Sequence, residues 1–420
     1  MYVNFLGGAG EVGRSAFLLK GTCNMMFDYG VKVEFAESSS GYPARTSEPV
    51  DALVLSHAHL DHVGASPMLY KNTPIPAFGT APTIELSKLL INDSIKISKR
   101  NHAKQMFSGR NLKSFERSYN AINYGTEIDF NKYVLSLHDA GHICGSAITL
   151  LRNSNNDRRI AYTGDFKLSP QLLHSGAEVV KSDVLIIEST YATREHPDRE
   201  EMTKKFVNDI REVIDGGGTA LVPVFAVGRS QEIISMLYKN GLIEYVYIDG
   251  MAQEASEIVL RYPDLMHNSG LLADALKNTK WIGSERSRDS ALSEPSIIVT
   301  TSGMLSGGPV LHYITRLNAK SKVFLTGYQV EGTNGSKILG GKPISVENKK
   351  FVLNVPVTQY DFSAHAGQQD LYAYIKKSGP EKIICVHGDH DNTKAFAENL
   401  KLEGYDAYAP DVGASIKIDF

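Results

Sequence analysis

Short apolar runs separated by glycine- and acid-containing turns open the chain, and their length assigns them to strands. Tyr2 to Leu6, Ala16 to Leu19, Asn24 to Phe27 and Val50 to Leu55 are four to six residues long. They are rich in β-branched, aromatic or leucine side chains and end at turn residues, which predicts buried strands. Thr83 to Arg100 instead sets Leu86, Leu89, Leu90 and Ile97 at helical spacing, and Val134 to Leu137 and Arg159 to Thr163 return to strands. From about 191 to 360 the pattern changes. Met202, Phe206, Val207, Ile210, Val213 and Ile214 share one helical face that ends at Gly216-Gly217-Gly218. Strands and helices then alternate: Ala220 to Phe225, a helix from Ser230 to Lys239, Tyr245 to Ile248, a helix from Gln253 to Tyr262, Ser296 to Thr300 and Val323 to Thr326. That order predicts an inserted α/β domain with a mostly parallel, doubly wound sheet. Residues 361–420 return to short strands, among them Lys382 to Val386.

Polar residues cluster where the strands stop. His57, His59, Asp61 and His62 follow the run Val50 to Leu55 directly, at the strand end where open α/β sheets hold ligands. An extended segment sends His57 and His59 to one side, while Asp61 and His62 start the next turn and reach a second point. Imidazole and carboxylate suit zinc-like ions, and a hydrolytic pair needs its ions roughly 3.5–4 Å apart. A single histidine is most often structural, but three with an aspartate in six residues form a ligand cluster. His142 and Asp165 each follow another strand beside glycine, in Asp139-Ala140-Gly141-His142 and Gly164-Asp165. The count gives one ion His57, His59 and His142, the other Asp61 and His62, with Asp165 bridging both. Asp28, also at a strand end, is either an acceptor behind a metal-binding histidine or an ordinary turn residue. The run Gly7-Gly8-Ala9-Gly10-Glu11-Val12-Gly13-Arg14-Ser15 has no helix after it, so it reads as a tight hairpin loop bringing backbone near the metal site rather than as a nucleotide fingerprint.

At 420 residues the chain exceeds one ordinary domain, and its 42% hydrophobic and 22% charged content fits a globular enzyme. With no run of eighteen apolar residues and no signal peptide, the expectation is a cytoplasmic protein without membrane contact. Cys23, Cys144 and Cys385 are widely spaced in apolar surroundings and read as reduced core thiols. A net charge of −3 is not the balance of a general nucleic-acid binder, so a polyanion must be held locally. Lys96, Lys99, Arg100, Lys104, Arg110, Lys113 and Arg117, with Phe107 and Phe115 interleaved and one acid, Glu116, either follow a phosphate backbone or form a solvated helical face. Three loops at strand ends of the insert, carrying Arg229 and Ser230, Ser302 and Gly303, and Gly332, are candidates for a phosphate-binding rim.

The set Asp28, His57-x-His59-x-Asp61-His62, His142 and Asp165 resembles the metallo-β-lactamase superfamily. Glu188 in Val184-Leu185-Ile186-Ile187-Glu188-Ser189-Thr190, the stretch Pro223 to Glu232, His365 in Asp361-Phe362-Ser363-Ala364-His365, and His387 in Val386-His387-Gly388 are similar to motifs of its β-CASP branch. That branch comprises nucleases that include RNase J and the catalytic subunit of the cleavage and polyadenylation specificity factor, and the chain looks closer to the latter and its archaeal homologues. The resemblance implies an αββα sandwich over residues 1–190 and 361–420, interrupted by a β-CASP domain over 191–360. It also implies two zinc ions, with His387 completing the second ion's ligands, and His365 acting near the leaving group with Glu188 bonded to it. Asp61, Glu188 and His365 are then the candidate catalytic residues.

The implied activity is hydrolysis of single-stranded RNA to a 5′-phosphate and a 3′-hydroxyl, by internal cutting or from the 5′ end. The insert is expected to act as a lid whose cleft excludes folded RNA. Archaeal long relatives carry KH domains before the nuclease; this chain begins at the first nuclease strand, so selection is expected to rest on the cleft. Two-fold dimers are common among soluble proteins, so a homodimer is expected on that general ground, with no residue of the sequence to support it. Two other classes stay open. A small-molecule metallohydrolase would share His57 to His62 but would have no use for the insert or His365, and a silent RNA-binding scaffold would have lost ligands that are all present here. A di-iron redox protein is discounted because it usually has Glu where His59 stands.

Overall fold

A computed structural model describes residues 1–32, 41–100, 106–346 and 349–420; Lys104 of the basic run and His102 lie outside the described residues. The chain divides into two compact units, Met1–Glu195 with Ala364–Phe420, and His196–Ser363.

The first unit holds two seven-stranded sheets. In the first, the order is Ser415–Lys417, Tyr2–Gly7, Ala16–Lys20, Met25–Phe27, Ala52–Val54, Ala77–Gly79 and Tyr119–Ala121. In the second it is Asp406–Tyr408, Lys382–Val386, Val184–Glu188, Arg159–Tyr162, Ala147–Asn153, Tyr133–Asp139 and Ile128–Phe130. Alternation along each strand sorts side chains into layers. Phe17, Phe27, Val54 and Phe5 of the first sheet pack with Leu135, Ile160, Tyr162, Ile186 and Ile384 of the second, so the inner faces meet. Leu18, Met26, Leu53 and Leu55 point the other way, toward Ile91 of helix Ala81–Arg100 and Leu112 and Phe115 of helix Gly109–Ser118. Ala161, Leu185, Ile187 and Cys385 point outward from the second sheet onto Leu371, Tyr374 and Ile375 of helix Gln368–Ser378 and Phe396 and Leu400 of helix His390–Leu402. Strands covered on both faces read as continuous apolar runs, and the result is the expected αββα sandwich.

Parallel pairing puts the site-bearing strand ends side by side. Met25–Phe27 and Ala52–Val54 run parallel with Phe27 opposite Val54. Arg159–Tyr162, Val184–Glu188 and Lys382–Val386 form a parallel triplet with Tyr162 opposite Ile186 and Glu188 opposite Val386. The carboxyl ends of each group therefore share one edge.

The second unit carries a six-stranded sheet in the order Lys280–Trp281, Val246–Asp249, Ser296–Thr300, Thr219–Pro223, Lys322–Leu325 and Val357–Gln359. Its five neighbouring pairs all run parallel, as the alternating strand and helix pattern predicts. Among the described residues no helix is long and apolar enough to cross a membrane.

One expectation changes. Phe115 is fully buried against Tyr70 and Tyr119, with centroids 5.4 and 6.1 Å away, and Phe107 packs on the same core. Neither ring is placed to stack on a base, because burying apolar area on the sheet outweighs exposing it. The cations Lys96, Lys99, Arg100, Arg110, Lys113 and Arg117 are exposed, as both readings of the run require. The cysteines are free and buried, as read.

Candidate metal centre

His57, His59 and His62 follow strand Ala52–Val54, with His62 in the short helix Leu60–Val63. His142 sits in the loop between Tyr133–Asp139 and Ala147–Asn153. Asp165 follows Arg159–Tyr162, Glu188 ends Val184–Glu188, and His387 directly follows Lys382–Val386. Gly164 adopts a left-handed φ of 54°, and a Cβ on it would lie 2.5 Å from Cβ of Ser56. The carrier loop of Asp165 thus approaches the histidine loop only because that position is glycine.

These strand ends form two interlocked sets of ligand atoms. His57, His59, His142 and Asp165 make one, Asp61, His62, Asp165 and His387 the other, and within each the ligand atoms lie within 4.8 Å of one another. In the first, His59 Nδ1 is 3.1 Å from His57 Nε2 and 3.2 Å from His142 Nε2, with Asp165 Oδ2 3.6 Å from His57 Nε2. In the second, His62 Nε2 is 3.2 Å and His387 Nε2 3.6 Å from Asp165 Oδ1, while Asp61 Oδ2 is 3.7 Å from His387 Nε2. A tetrahedral ion with bonds of about 2.0–2.1 Å separates its ligand atoms by roughly 3.3 Å. The separations fit that figure. His62 Nε2 and Asp165 Oδ1 are buried without a hydrogen-bond partner, although buried polar atoms are almost always paired. Donor chemistry, spacing and these two orphaned atoms all fit a pair of metal cations, with one oxygen of Asp165 for each.

The far sides of the imidazoles are held as a metal site needs. Asp28, buried with φ 55°, accepts from Ser56 N (2.8 Å) and Ser56 Oγ (2.7 Å), from Tyr162 Oη (2.6 Å), and from His62 Nδ1 (2.7 Å). Ser56 Oγ lies 3.0 Å from His57 Nδ1. One carboxylate therefore orients a histidine of each set, His62 directly and His57 through Ser56. His142 Nδ1 meets the Ala364 carbonyl at 2.9 Å. Of these partners sequence reasoning named only Asp28; Ser56 was visible as the residue before the first histidine, whereas Tyr162 and Ala364 carry no spacing signal.

Burial drives His57 and His142 well below the ordinary histidine range, and their histidine neighbours add to this. At His62 burial opposes the charge, but Asp165 and Asp61 raise the ring well above that range. Asp165 is pushed up by burial and more strongly down by His387, His62 and His365, to well below the usual carboxylate range. The pocket is thus balanced for cations.

Glu188 is buried beside this pair of sets. Its oxygens accept from Phe166 N (2.9 Å) and Thr190 Oγ1 (2.6 Å), and its Oε2 lies 2.9 Å from His365 Nδ1. Burial disfavours charge on His365, but Glu188 and then Asp165 outweigh it and lift the ring to about 9. Lys167 Nζ donates to the His365 carbonyl at 3.0 Å.

In the second unit, strands Ser296–Thr300, Thr219–Pro223 and Lys322–Leu325 are neighbours, so the loops carrying the proposed phosphate contacts are adjacent. Gly332 is exposed and Arg229 and Ser302 are half-buried. Ser230 is not presented: it is fully buried and its hydroxyl donates at 2.7 Å to the carbonyl of Ala226, which precedes helix Arg229–Lys239. Gly303 is buried too, its carbonyl accepting from Gln329 Nε2.

A four-layer αββα unit with a two-set His/Asp centre at its strand ends defines a metal-dependent hydrolase of the metallo-β-lactamase type. The Metallo-beta-lactamase superfamily domain matches residues 18–190, the Beta-Casp domain 231–338, and the Zn-dependent metallo-hydrolase RNA specificity domain 353–410. The chain is 37% identical to the probable RNase MJ4 of Methanocaldococcus jannaschii, over 100% of both chains. It is 34% identical to RNase aCSPSF2 of Saccharolobus solfataricus, over 99% of this chain and 85% of the other. It is also 34% identical to the transcription termination factor FttA of Methanocaldococcus jannaschii, over 95% of this chain and 68% of that one. A crystal structure of a protein of unknown function from Enterococcus faecalis V583 superposes with a TM-score of 0.61 at 16% identity, over 99% of each chain, a likeness of fold alone. The chain belongs to the β-CASP branch of the metallo-β-lactamase superfamily, beside the archaeal relatives of the cleavage and polyadenylation specificity factor.

Proposed function

We propose that this chain is a ribonuclease that binds two zinc ions and hydrolyses phosphodiester bonds of single-stranded RNA. The observation that carries the reading is the sharing of Asp165 between two four-residue ligand sets, with the His365–Glu188 pair against the same carboxylate. The RNA specificity domain match and the RNase names of two relatives matched over most of their length support RNA as the substrate.

His57, His59, His142 and Asp165 would hold one ion, and Asp61, His62, His387 and Asp165 the other. Bound there, the ions would supply Lewis acidity at phosphoryl oxygens and bring the pKa of water toward about 7. The chain's own residues do the rest. Glu188 accepts the hydrogen bond from Nδ1–H of His365, which leaves Nε2 to exchange a proton with the departing oxygen. Lys167 and the His142–Ala364 bond fix the backbone on both sides of that ring. In the second unit, Arg229 and the Ser302 and Gly332 loops are the proposed contacts to RNA phosphates.

The test is incubation of purified protein with 5′-labelled single-stranded RNA, beside a chelator-treated sample and the same sample resupplied with zinc. Cleavage abolished by the chelator and restored by zinc is the expected result. Mononucleotides from the first time point would mark 5′→3′ exonuclease action, and intermediate fragments internal cutting. Undiminished cleavage in chelator, or none in any lane, would overturn the reading.

A further inference from the structure

We infer that Ser15, in the glycine-rich loop near the N-terminus, is a positioning residue for the second ion set, holding His387 and Asp61 in place. The inference rests on the metal reading above.

His387 lies 372 residues beyond Ser15, yet Ser15 Oγ and His387 Nδ1 are 2.8 Å apart, both residues buried. The main chain of the same serine donates to the Asp61 carbonyl at 2.8 Å. The loop also takes the His387 backbone N–H, on the Gly8 carbonyl at 2.6 Å. His387 is therefore gripped at its backbone and its ring by one loop, in a left-handed conformation of φ 49°. Gly8 itself has φ 69°, and a Cβ there would lie 2.9 Å from Ser15 Cα. Glycine is needed for the loop to close on the serine.

The chemistry follows from which ring nitrogen is free. His387 Nε2 faces Asp61 Oδ2 at 3.7 Å and Asp165 Oδ1 at 3.6 Å, beyond hydrogen-bond distance and at ligand spacing. Nε2 is a ligand only as a bare lone pair, so the proton must sit on Nδ1 and be donated to Ser15 Oγ. The other rings that offer Nε2 to a set follow the same rule with different acceptors: Asp28 for His62, Ser56 for His57 and Ala364 O for His142. Ser15 is the acceptor that the N-terminal loop offers to the ring of His387. Losing a partner of this kind typically weakens a metal site about 10–100-fold.

Zinc is titrated into chelator-stripped full-length protein against a chromophoric competitor, for wild type, Ser15→Ala and Ser15→Thr. Wild type is expected to take two ions per chain. In Ser15→Ala one ion should keep its affinity and the other weaken roughly 10–100-fold, and Ser15→Thr, which retains a hydroxyl, should recover much of the loss. Two ions bound by Ser15→Ala with wild-type affinity, or both weakened equally, would overturn the inference and leave the nuclease reading standing; a wild type that binds no zinc would overturn both. Nitrogen-15 spectra of histidine-labelled, zinc-loaded wild type give an answer independent of folding in the variants. The His387 signals, identified by their loss in His387→Asn, should report a protonated Nδ1, and a protonated Nε2 overturns the assignment.

Discussion

Glu188 shows how one side chain connects the chemistry to the frame. Its two oxygens serve a backbone amide, a threonine hydroxyl and His365. Thr190 has one hydroxyl hydrogen and lies 2.6 Å from Glu188 and 3.0 Å from the His387 carbonyl, so the carboxylate takes it. Glutamine at position 188 keeps the shape and loses an acceptor that can hold the His365 proton. Glu188→Gln and His365→Ala are each expected to slow RNA cleavage about 10²–10⁴-fold under single-turnover conditions, the range of a positioned acid or base. Because the two act as a unit, the double variant should be little slower than the worse single. Additive losses would show that Glu188 works some other way. The histidine motif was readable from local residue types; the roles of His365 and Glu188 entered only through the family resemblance, since a lone histidine in a loop and a glutamate closing an apolar strand are unremarkable patterns by themselves.

At the scale of elements, the hairpin of Tyr133–Asp139 and Ala147–Asn153 presents His142 and also carries a strained charge. Burial raises the carboxyl of Asp139, the Gly141 N–H lowers it and Glu178 raises it further, to about 6 in all. In the unfolded chain an aspartate titrates near 3.9. Between about pH 4 and 6 the folded protein therefore binds more protons than the unfolded one, and this group's contribution to stability falls as pH rises through that window. His138, 2.9 Å from Glu178, is common to wild type and variant. Asp139→Asn should thus gain denaturant midpoint relative to wild type at pH 6.5 compared with pH 4.5, and a constant difference would refute the shift. Strand positions were legible because two-sided burial leaves continuous apolar runs. The helices Gln368–Ser378 and His390–Leu402 were not, because their polar faces break the apolar pattern that marks a core element.

For the whole molecule, every residue of both ion sets belongs to the unit formed by Met1–Glu195 and Ala364–Phe420, and none to His196–Ser363. A ligand that binds only the folded state stabilises by RT ln(1 + [L]/Kd), about 2.7 kcal/mol at a hundredfold excess over Kd. Calorimetry with and without chelator should therefore show a lowered transition for the metal-bearing unit and an unmoved one for the inserted unit. A chelator that shifts neither transition, or both equally, would contradict the assignment of the ions to one unit. Because that unit is discontinuous, His387 reaches the site only through the pairing of Lys382–Val386 with Val184–Glu188.

What the sequence by itself determined was set by short-range pattern: two-residue and 3.6-residue periodicities, glycines at strand ends, and a His-x-His-x-Asp-His run whose spacing has few uses other than a metal. Those signals sufficed for the parallel insert and for His57, His59, Asp61, His62, His142 and Asp165 of the two sets, whereas the sandwich and His387 were read only through the family resemblance. Tertiary structure alone decided which serine backs which histidine, that Tyr162 and Ser56 converge on Asp28, that Ser230 is turned inward and that Phe115 is core. Such contacts join residues up to 372 positions apart, and a hydrogen bond between distant residues leaves no period or spacing in either stretch of chain.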